Sequence, residues 1–354
     1  MVSTEEKIKL IEEEIRKTPY HKATEHHIGK LRAKRAKLKD LLEAPPKAKG
    51  KKTGFAVKKG GDATVVLIGP PSVGKSTLLN KLTQASSKVG EYDFTTLEVV
   101  PGILKYKGAQ IQLLDIPGLV GGAAKGRGRG QEILSVARVA DLLVIMVDVN
   151  SADKIDQIKK ELDESGVRLN QSRPKVKIKK LAKGGLKVIS QAEIGKKTIE
   201  EVAREFGYVN AEINVQESLS LKELIDAFAQ NRTYLPAITV VNKTDLFPPK
   251  QKKRLKDCLL ISAQKGVGLD QLKEAIFESL ALICVYLKEK GKEADFNQPL
   301  ILKKGATIGD ALGKISDELL TEMKFARVWG TSAKYPGQQA GLAHQLADQD
   351  VLSF

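Results

Sequence analysis

Gly69-Pro-Pro-Ser-Val-Gly-Lys-Ser76 stands directly after the apolar run Ala63-Thr-Val-Val-Leu-Ile68 and directly before Thr77-Leu-Leu-Asn-Lys-Leu82. The spacing is G-x-x-x-x-G-K-[ST], and its setting is strand, glycine loop, helix, the context in which the pattern cradles phosphate. Glycines let consecutive backbone N–H groups face an anion, and the N-terminus of the following helix adds partial positive charge. Gly69, Pro70, Pro71, Ser72, Val73, Gly74, Lys75, Ser76 and Thr77 are therefore the expected phosphate-binding residues. Lys75 is the expected charge clamp.

Two further motifs follow in order, Asp115-Ile-Pro-Gly118 and Asn242-Lys-Thr-Asp245. A carboxylate only accepts hydrogen bonds, so Asp245 suits the N1–H and N2 amine of guanine, a pair that adenine lacks. Lys243 is expected to lie along the base and Asn242 to tie base to backbone. Leu259-Leu-Ile-Ser262-Ala263 ends a short strand that would bring the Ala263 N–H near guanine O6. Between these motifs, Tyr92-Asp-Phe-Thr95-Thr96 reads as a first switch, in which a threonine hydroxyl ligates Mg²⁺. Ser76 supplies a second hydroxyl and Asp115 holds a metal-bound water. Gly118 lacks a side chain, so its N–H can approach a γ-phosphate. The glycine-rich stretch from Leu119 to Gly130 then reads as a second switch.

Position 119 departs from Ras-like enzymes, where a glutamine orients the attacking water. Leucine makes no such hydrogen bond. Either hydrolysis is slow, or a backbone group, a monovalent cation or a partner positions the water. Arg127 and Arg129 are candidates for an internal arginine finger, although basic residues in such a loop more often meet solvent or nucleic acid.

The phosphate loop Gly69–Thr77, the run Tyr92-Asp-Phe-Thr-Thr-Leu97, the run Asp115–Gly130 and the tail Phe325-Ala-Arg-Val-Trp-Gly-Thr-Ser332 together resemble the Obg-like GTPases. Within these they resemble the developmentally regulated GTP-binding protein (DRG) branch, over nearly the whole chain. The resemblance implies that Thr96, not Thr95, is the metal-ligating threonine, so that Lys75, Thr96 and Gly118 carry catalysis. It makes leucine at 119 a family trait. It also brings in potassium, which several relatives bind through an asparagine of the phosphate loop; here Ser72 holds that position.

The chain has 354 residues and a net charge of +16, enough length for two or three domains. Cys258 and Cys284 lie in apolar surroundings and read as core residues of a protein in a reducing cytoplasm. The N-terminal stretch lacks a signal-peptide core, and no apolar run is long enough to span a membrane. The charge is uneven: residues 1–61 carry +9 and 166–235 carry +5, whereas 62–165 carry −1. Residues 236–291 carry +4 and 292–354 carry −1. Excess positive charge on appended pieces points to a polyanion, most simply the ribosome or structured RNA. Solubility charge alone is the competing reading.

The expected fold is an α/β P-loop core, mostly parallel, in two parts (62–165 and 236–291) with three additions. Residues 1–61 read as a basic helical hairpin and linker, opened by a Ser3/Glu6 capping box. Residues 166–235 read as an inserted α/β domain, which the resemblance likens to a ribosomal-protein fold. A helix is expected over 269–290, followed by a small β-grasp over 292–354 that resembles the TGS domain. That last piece is near neutral, so protein docking is at least as good a role for it as RNA contact, and Trp329 reads as core. The candidate RNA contacts are Lys30, Arg32, Lys34, Arg35, Lys37 and Lys39 on the second helix. Arg173, Lys175, Lys177, Lys179 and Lys180 are the candidates at the start of the insert.

Overall fold

A computed structural model describes residues 3–43, 61–83, 100–116, 129–229, 231–246, 255, 257–289 and 291–354. Thr95, Thr96, Gly118, Leu119 and Arg127 lie outside the described residues, as does the side chain of Arg129. Along the chain, α1 (Thr4–Lys17) and α2 (Glu25–Glu43) precede β1 (Ala63–Ile68), α3 (Lys75–Leu82), β2 (Val100–Tyr106) and β3 (Ala109–Asp115). Then come α4 (Arg129–Val139), β4 (Leu142–Asp148), α5 (Ile155–Glu164), β5 (Val167–Leu169), β6 (Val176–Lys180) and β7 (Leu186–Ser190). They are followed by α6 (Lys196–Glu205), β8 (Ala211–Val215), α7 (Leu221–Phe228), β9 (Thr233–Leu235), β10 (Ala237–Asn242), β11 (Leu259–Leu260) and α8 (Leu269–Ser279). The chain ends with β12 (Leu282–Lys288), β13 (Ala294–Lys303), α9 (Ile308–Ile315), α10 (Asp317–Glu322), β14 (Phe325–Trp329), β15 (Gln338–Gly341) and β16 (Val351–Ser353).

These elements form two compact units. One comprises Met1–Lys52, Lys125–Leu134 and Leu162–Tyr234; the other comprises Thr53–Ala124, Ser135–Glu161 and Leu235–Phe354.

The second unit holds a six-stranded sheet in the order β11-β10-β4-β1-β3-β2. All its pairings are parallel except β2 with β3. The central strands β1 and β4 are buried along their whole length. That is why they read as continuous apolar runs without alternation. Leu78, Leu79 and Leu82 of α3 and Leu272 and Ile276 of α8 bury against this sheet.

The helix expected over 269–290 ends at Ser279. Ala281 takes a left-handed conformation (φ 49°), and the next residues become β12, paired with β13 and β16. The reason lies in burial on both faces. Leu282 and Cys284 enter the core of the nucleotide-binding sheet, whereas Ile283 and Val285 enter the core of a second sheet. A strand buried on both sides shows no alternation and imitates a buried helix in sequence. The second sheet runs β13-β12-β16-β14-β15 and packs on α9 through Ile308, Ala311 and Leu312. A Thr307/Asp310 capping box opens that helix.

In the first unit, Ser3 and Glu6 form the expected capping box of α1. Ile28 and Ala33 of α2 share one core with Ile199 and Val202 of α6, Ile213 of β8 and Leu224 and Phe228 of α7. The approach is close at Gly29, where a Cβ would lie 2.8 Å from the Thr198 methyl. A three-stranded sheet β6-β8-β7 completes that core.

Candidate functional site at the carboxyl edge of the parallel sheet

Parallel register brings the motif residues together. Leu67 pairs with Asp115 across β1 and β3, and Asn242 pairs with Asp148 across β10 and β4. The glycine loop leaves β1 at the same edge, and Ser262 and Ala263 follow β11. Open α/β sheets bind ligands at the carboxyl ends of their strands for this reason: connections diverge there and leave a crevice.

The loop requires its glycines. Gly69 has φ 155°, and a Cβ there would lie 1.9 Å from the Met146 carbonyl. Gly74 has φ 94°, and a Cβ would meet Asn242 Nδ2 at 2.5 Å. Lys75 opens α3 and is buried, its ammonium donating to the carbonyls of Gly69 at 3.0 Å and Pro70 at 2.9 Å. Burial pushes its pKa down, against the opposing pull of the Asp115 carboxylate.

Ser76 Oγ donates to Asp115 Oδ2 at 2.7 Å. The other carboxylate oxygen, Asp115 Oδ1, is buried with no hydrogen-bond partner among the described residues. An unpartnered buried carboxylate oxygen is costly unless something else satisfies it. A hydroxyl and a carboxylate at this spot are hard oxygen donors, which suits Mg²⁺. Among the described residues no group of three or more His, Cys, Asp or Glu side chains forms a metal cluster. A site of the phosphate-loop kind does not need one, because phosphate oxygens and water complete the coordination.

Asn242 is buried and bridges two loops. Its Nδ2 donates to the Val73 carbonyl at 2.9 Å, and its Oδ1 accepts from the Ala263 N–H at 2.9 Å. The Ala263 N–H, expected to face the base, is thus engaged by Asn242 in this geometry. Thr244 adds a bond from its hydroxyl to the Ile261 carbonyl at 2.8 Å. Lys243 sits in the left-handed region (φ 61°). Its ammonium donates to the Ser72 carbonyl at 2.8 Å and to Asp148 Oδ2 at 2.9 Å. Ser72, the position where the resemblance expects a potassium-binding asparagine, also has φ 62°. For Asp245, hydrogen bonding from the Ser262 hydroxyl is the main effect, with some opposing desolvation. Its own N–H and the nearby Lys265 assist, and the carboxyl is held below its usual value. Asp245 therefore stays an acceptor, as guanine recognition requires.

Asp148 and Ser151 were not singled out in the sequence. Asp148 ends β4; its Oδ1 accepts from Ser151 Oγ at 2.6 Å and its N–H donates to the same hydroxyl at 3.0 Å. Burial works to raise the Asp148 carboxyl. Bonds from Ser151 and Lys243, the Lys243 charge and the Asn150 N–H outweigh it, so the carboxyl titrates below its usual value. The available signal was an acid closing a wholly apolar strand, Leu142–Val147, at the edge where the other motifs end.

The basic candidates lie in the first unit, and the structure separates them. On α2, Lys30 pairs with Glu201 at 3.7 Å, and Arg35 and Lys39 flank Glu12 at 3.6 and 3.8 Å. Lys37 donates to the Glu205 carbonyl at 2.7 Å, and Arg32 lies 6.0 Å from the Tyr20 ring centroid. Lys34 is exposed. Five of the six side chains therefore have partners within their own unit. In the insert, β6 begins only at Val176. Arg173 and Lys175 therefore precede the strand instead of extending its row. Lys177 and Lys179 stand exposed on β6, while Val176 and Ile178 pack on the core. Lys180 lies 5.4 Å from the Tyr208 ring and Arg173 lies 5.7 Å from that of Tyr234.

Comparison with known proteins gives the family. The sequence model of the 50S ribosome-binding GTPase family matches residues 64–180, that of the C-terminal region of this GTPase domain matches 183–282, and that of the TGS domain matches 283–354. An uncharacterised GTP-binding protein of Methanocaldococcus jannaschii is 48% identical over 100% of this chain and 93% of its own length. One from Halobacterium salinarum is 44% identical over 98% of each. Mouse developmentally regulated GTP-binding protein 2 is 42% identical over 99% of this chain and 98% of its own. With its phosphate loop, its N-K-x-D motif and its appended domains accounted for over nearly its full length, the chain belongs to the DRG family of Obg-like GTPases.

Proposed function

We propose that this protein hydrolyses GTP to GDP and phosphate with Mg²⁺ and uses the cycle as a switch on ribosomes or structured RNA in the cytoplasm. The observation that carries the hydrolytic half is the Ser76–Asp115 pair, with Asp115 Oδ1 buried and without a partner among the described residues. Ser76, Thr96 and, through water, Asp115 would hold the ion, which when bound neutralises charge on the phosphate oxygens. The Lys75 ammonium, held at the loop by two carbonyls, is the charge that meets the β- and γ-phosphates. Gly118 offers its N–H to the γ-phosphate and Thr96 senses it, so loss of that phosphate releases both segments. Asp245 selects guanine, oriented by Ser262, while Asn242 and Lys243 bind the base loop to the phosphate loop.

Leucine at position 119 orients no water, so unassisted turnover is slow, within about tenfold of ~10⁻⁴ s⁻¹. Potassium stays a weaker candidate, because Ser72 offers a short hydroxyl where an asparagine carbonyl would reach. The RNA half rests on the uneven charge and on the exposed Lys177 and Lys179. The description of the matching family as ribosome-binding supports it. The engagement of the α2 side chains favours a structural part for them, which leaves protein docking through the TGS domain as the second reading.

Co-sedimentation with ribosomes in GDP and in a non-hydrolysable GTP analogue tests the switch, with phosphate release measured alongside. Binding should be stronger with the analogue and weaken with salt. Neutralising Lys177 and Lys179 should flatten the slope against log salt by nearly one unit per lost phosphate contact. Binding indifferent to nucleotide, or a Ser76→Ala variant that releases phosphate at the parental rate, would overturn the proposal.

A further inference from the structure

The first unit holds a cleft between α2 and α7 whose cations are unevenly satisfied. Arg32, Arg35 and Lys39 stand three and four residues apart, which puts them on one face of α2. Together with Lys222 and Asp226 of α7 they line a cavity of about 350 Å³. Arg168 of β5 and Arg232, just before β9, line its buried side. There every guanidinium is met. Asp226 accepts from Arg168 Nε at 2.5 Å, from Arg168 Nη2 at 2.8 Å and from Arg232 Nε at 2.8 Å. Asp40 accepts from Arg232 Nη1 at 3.1 Å. The outer cations differ. Arg35 and Lys39 share one acid, Glu12, at 3.6 and 3.8 Å, too far for hydrogen bonds. Arg32 has no ion pair among the described residues, and its neighbour is the Tyr20 ring at 6.0 Å. The lining carries six cations against four acids, and Glu12, which does not line it, offsets only part of the surplus.

These features select the ligand. The volume falls within the roughly 300–1,000 Å³ of small-molecule sites. Guanidinium forks with unused donors match phosphate oxygens in pairs, and two stand side by side here with an ammonium. The acids of the lining do not oppose an anion. Asp40, Asp163 and Asp226 each accept from a cation of the cleft, and Glu164 is exposed to water that screens it. Arg32 and Lys222 also line a neighbouring cavity with Tyr20 and Ile194, which leaves room for an uncharged part of the molecule. We propose that this cleft binds a small phosphate-bearing molecule, with Arg32, Arg35 and Lys39 taking the phosphate. The buried Arg168–Asp226–Arg232 network holds the walls in place. The site is built from residues other than the glycine loop and does not rest on the hydrolytic reading. It takes Arg32, Arg35 and Lys39 out of the RNA contacts expected from sequence. A backbone phosphate of RNA has the same chemistry, and the test separates the two sources.

The test titrates phenyl phosphate into the full chain already saturated with GDP and Mg²⁺, so that the glycine loop is occupied, and reads the heat of binding. One molecule per chain should bind. Arg32→Gln and Arg35→Gln should each weaken binding about tenfold or more, the loss of one charge-assisted contact. Arg35→Lys keeps the charge but not the fork and should still weaken it severalfold, which covers any disturbance of α2 by glutamine. Lys34→Gln removes an equal charge from an exposed position of the same helix outside the lining and should change binding less than about twofold. GDP affinity should be the same in all four variants. Equal weakening by Lys34→Gln would show bulk attraction alone and overturn the cleft. No saturable heat up to about 10 mM would overturn it too. A single-stranded RNA octamer that displaces phenyl phosphate would overturn the small-molecule ligand in favour of RNA; failure to displace it would support the proposal.

Discussion

Asn242→Ala should separate the phosphate loop from the base loop, and its cost follows from two bonds. The side chain is 3% exposed and satisfies the Val73 carbonyl and the Ala263 N–H, each at 2.9 Å. Alanine leaves both groups buried without that partner, at about 1–3 kcal/mol each, so about 2–6 kcal/mol in total. That is a large share of the roughly 5–15 kcal/mol by which domains are stable. With a urea slope of about 3 kcal/mol per M, the unfolding midpoint should fall by about 0.7–2 M. Trp329 emission can follow the transition, since it belongs to the same unit as the site. GDP affinity, read with a fluorescent GDP analogue, should fall about tenfold or more, because about 1.4 kcal/mol of lost loop order suffices for that. Asn242→Asp keeps an acceptor for the Ala263 N–H but sets an oxygen against the Val73 carbonyl, so it should not rescue. A midpoint for Asn242→Ala within about 0.2 M of the parent, with GDP affinity unchanged, would show that the bridge is incidental.

Asp245→Asn replaces one acceptor oxygen with a donor and should shift preference from GTP towards XTP; unaltered competition between the two nucleotides would refute the guanine assignment. Asp148→Asn should loosen Lys243, lowering stability by roughly 1–2 kcal/mol after allowing for the exposure of that lysine. The Asp148 carboxyl is depressed in the folded protein, so its contribution is complete above the ordinary carboxylate value and is lost as pH falls through the lower folded value. The gap between parent and variant should therefore be constant near neutrality and close only in acid, as urea midpoints against pH would show. In the first unit, Asp226 accepts from Arg168 Nε at 2.5 Å and from Arg232 Nε at 2.8 Å while only 6% exposed. Asp226→Ala should cost about 3 kcal/mol, the low end for breaking a buried pair, because Arg168 keeps Asp163 and Arg232 keeps Asp40. Limited proteolysis should then cut the first unit faster, and equal rates would refute the account.

The glycine loop, the guanine motif and the strands that lead into them were legible because they are local. A phosphate cradle needs glycine at fixed offsets, and buried parallel strands announce themselves as uninterrupted apolar runs such as Leu142–Val147. Capping boxes at Ser3 and Thr307 were legible for the same reason, since donor and acceptor lie three residues apart. Other features were decided by residues far apart in sequence. Leu282–Lys288 read as helix because two different cores cover its two faces, and only the packed chain supplies both. The basic face of α2 read as free, yet acids and a carbonyl from α1 and α6 engage most of it, partners that charge counting along one helix cannot see. Asp148 entered the site only through register, since the pairing of β4 with β10 carries it to Lys243, 95 residues away. Sequence by itself determined which ligand chemistry the loops offer, because that chemistry resides in short motifs. Tertiary structure decided which charges remain exposed and which find partners, because burial and pairing depend on the whole fold.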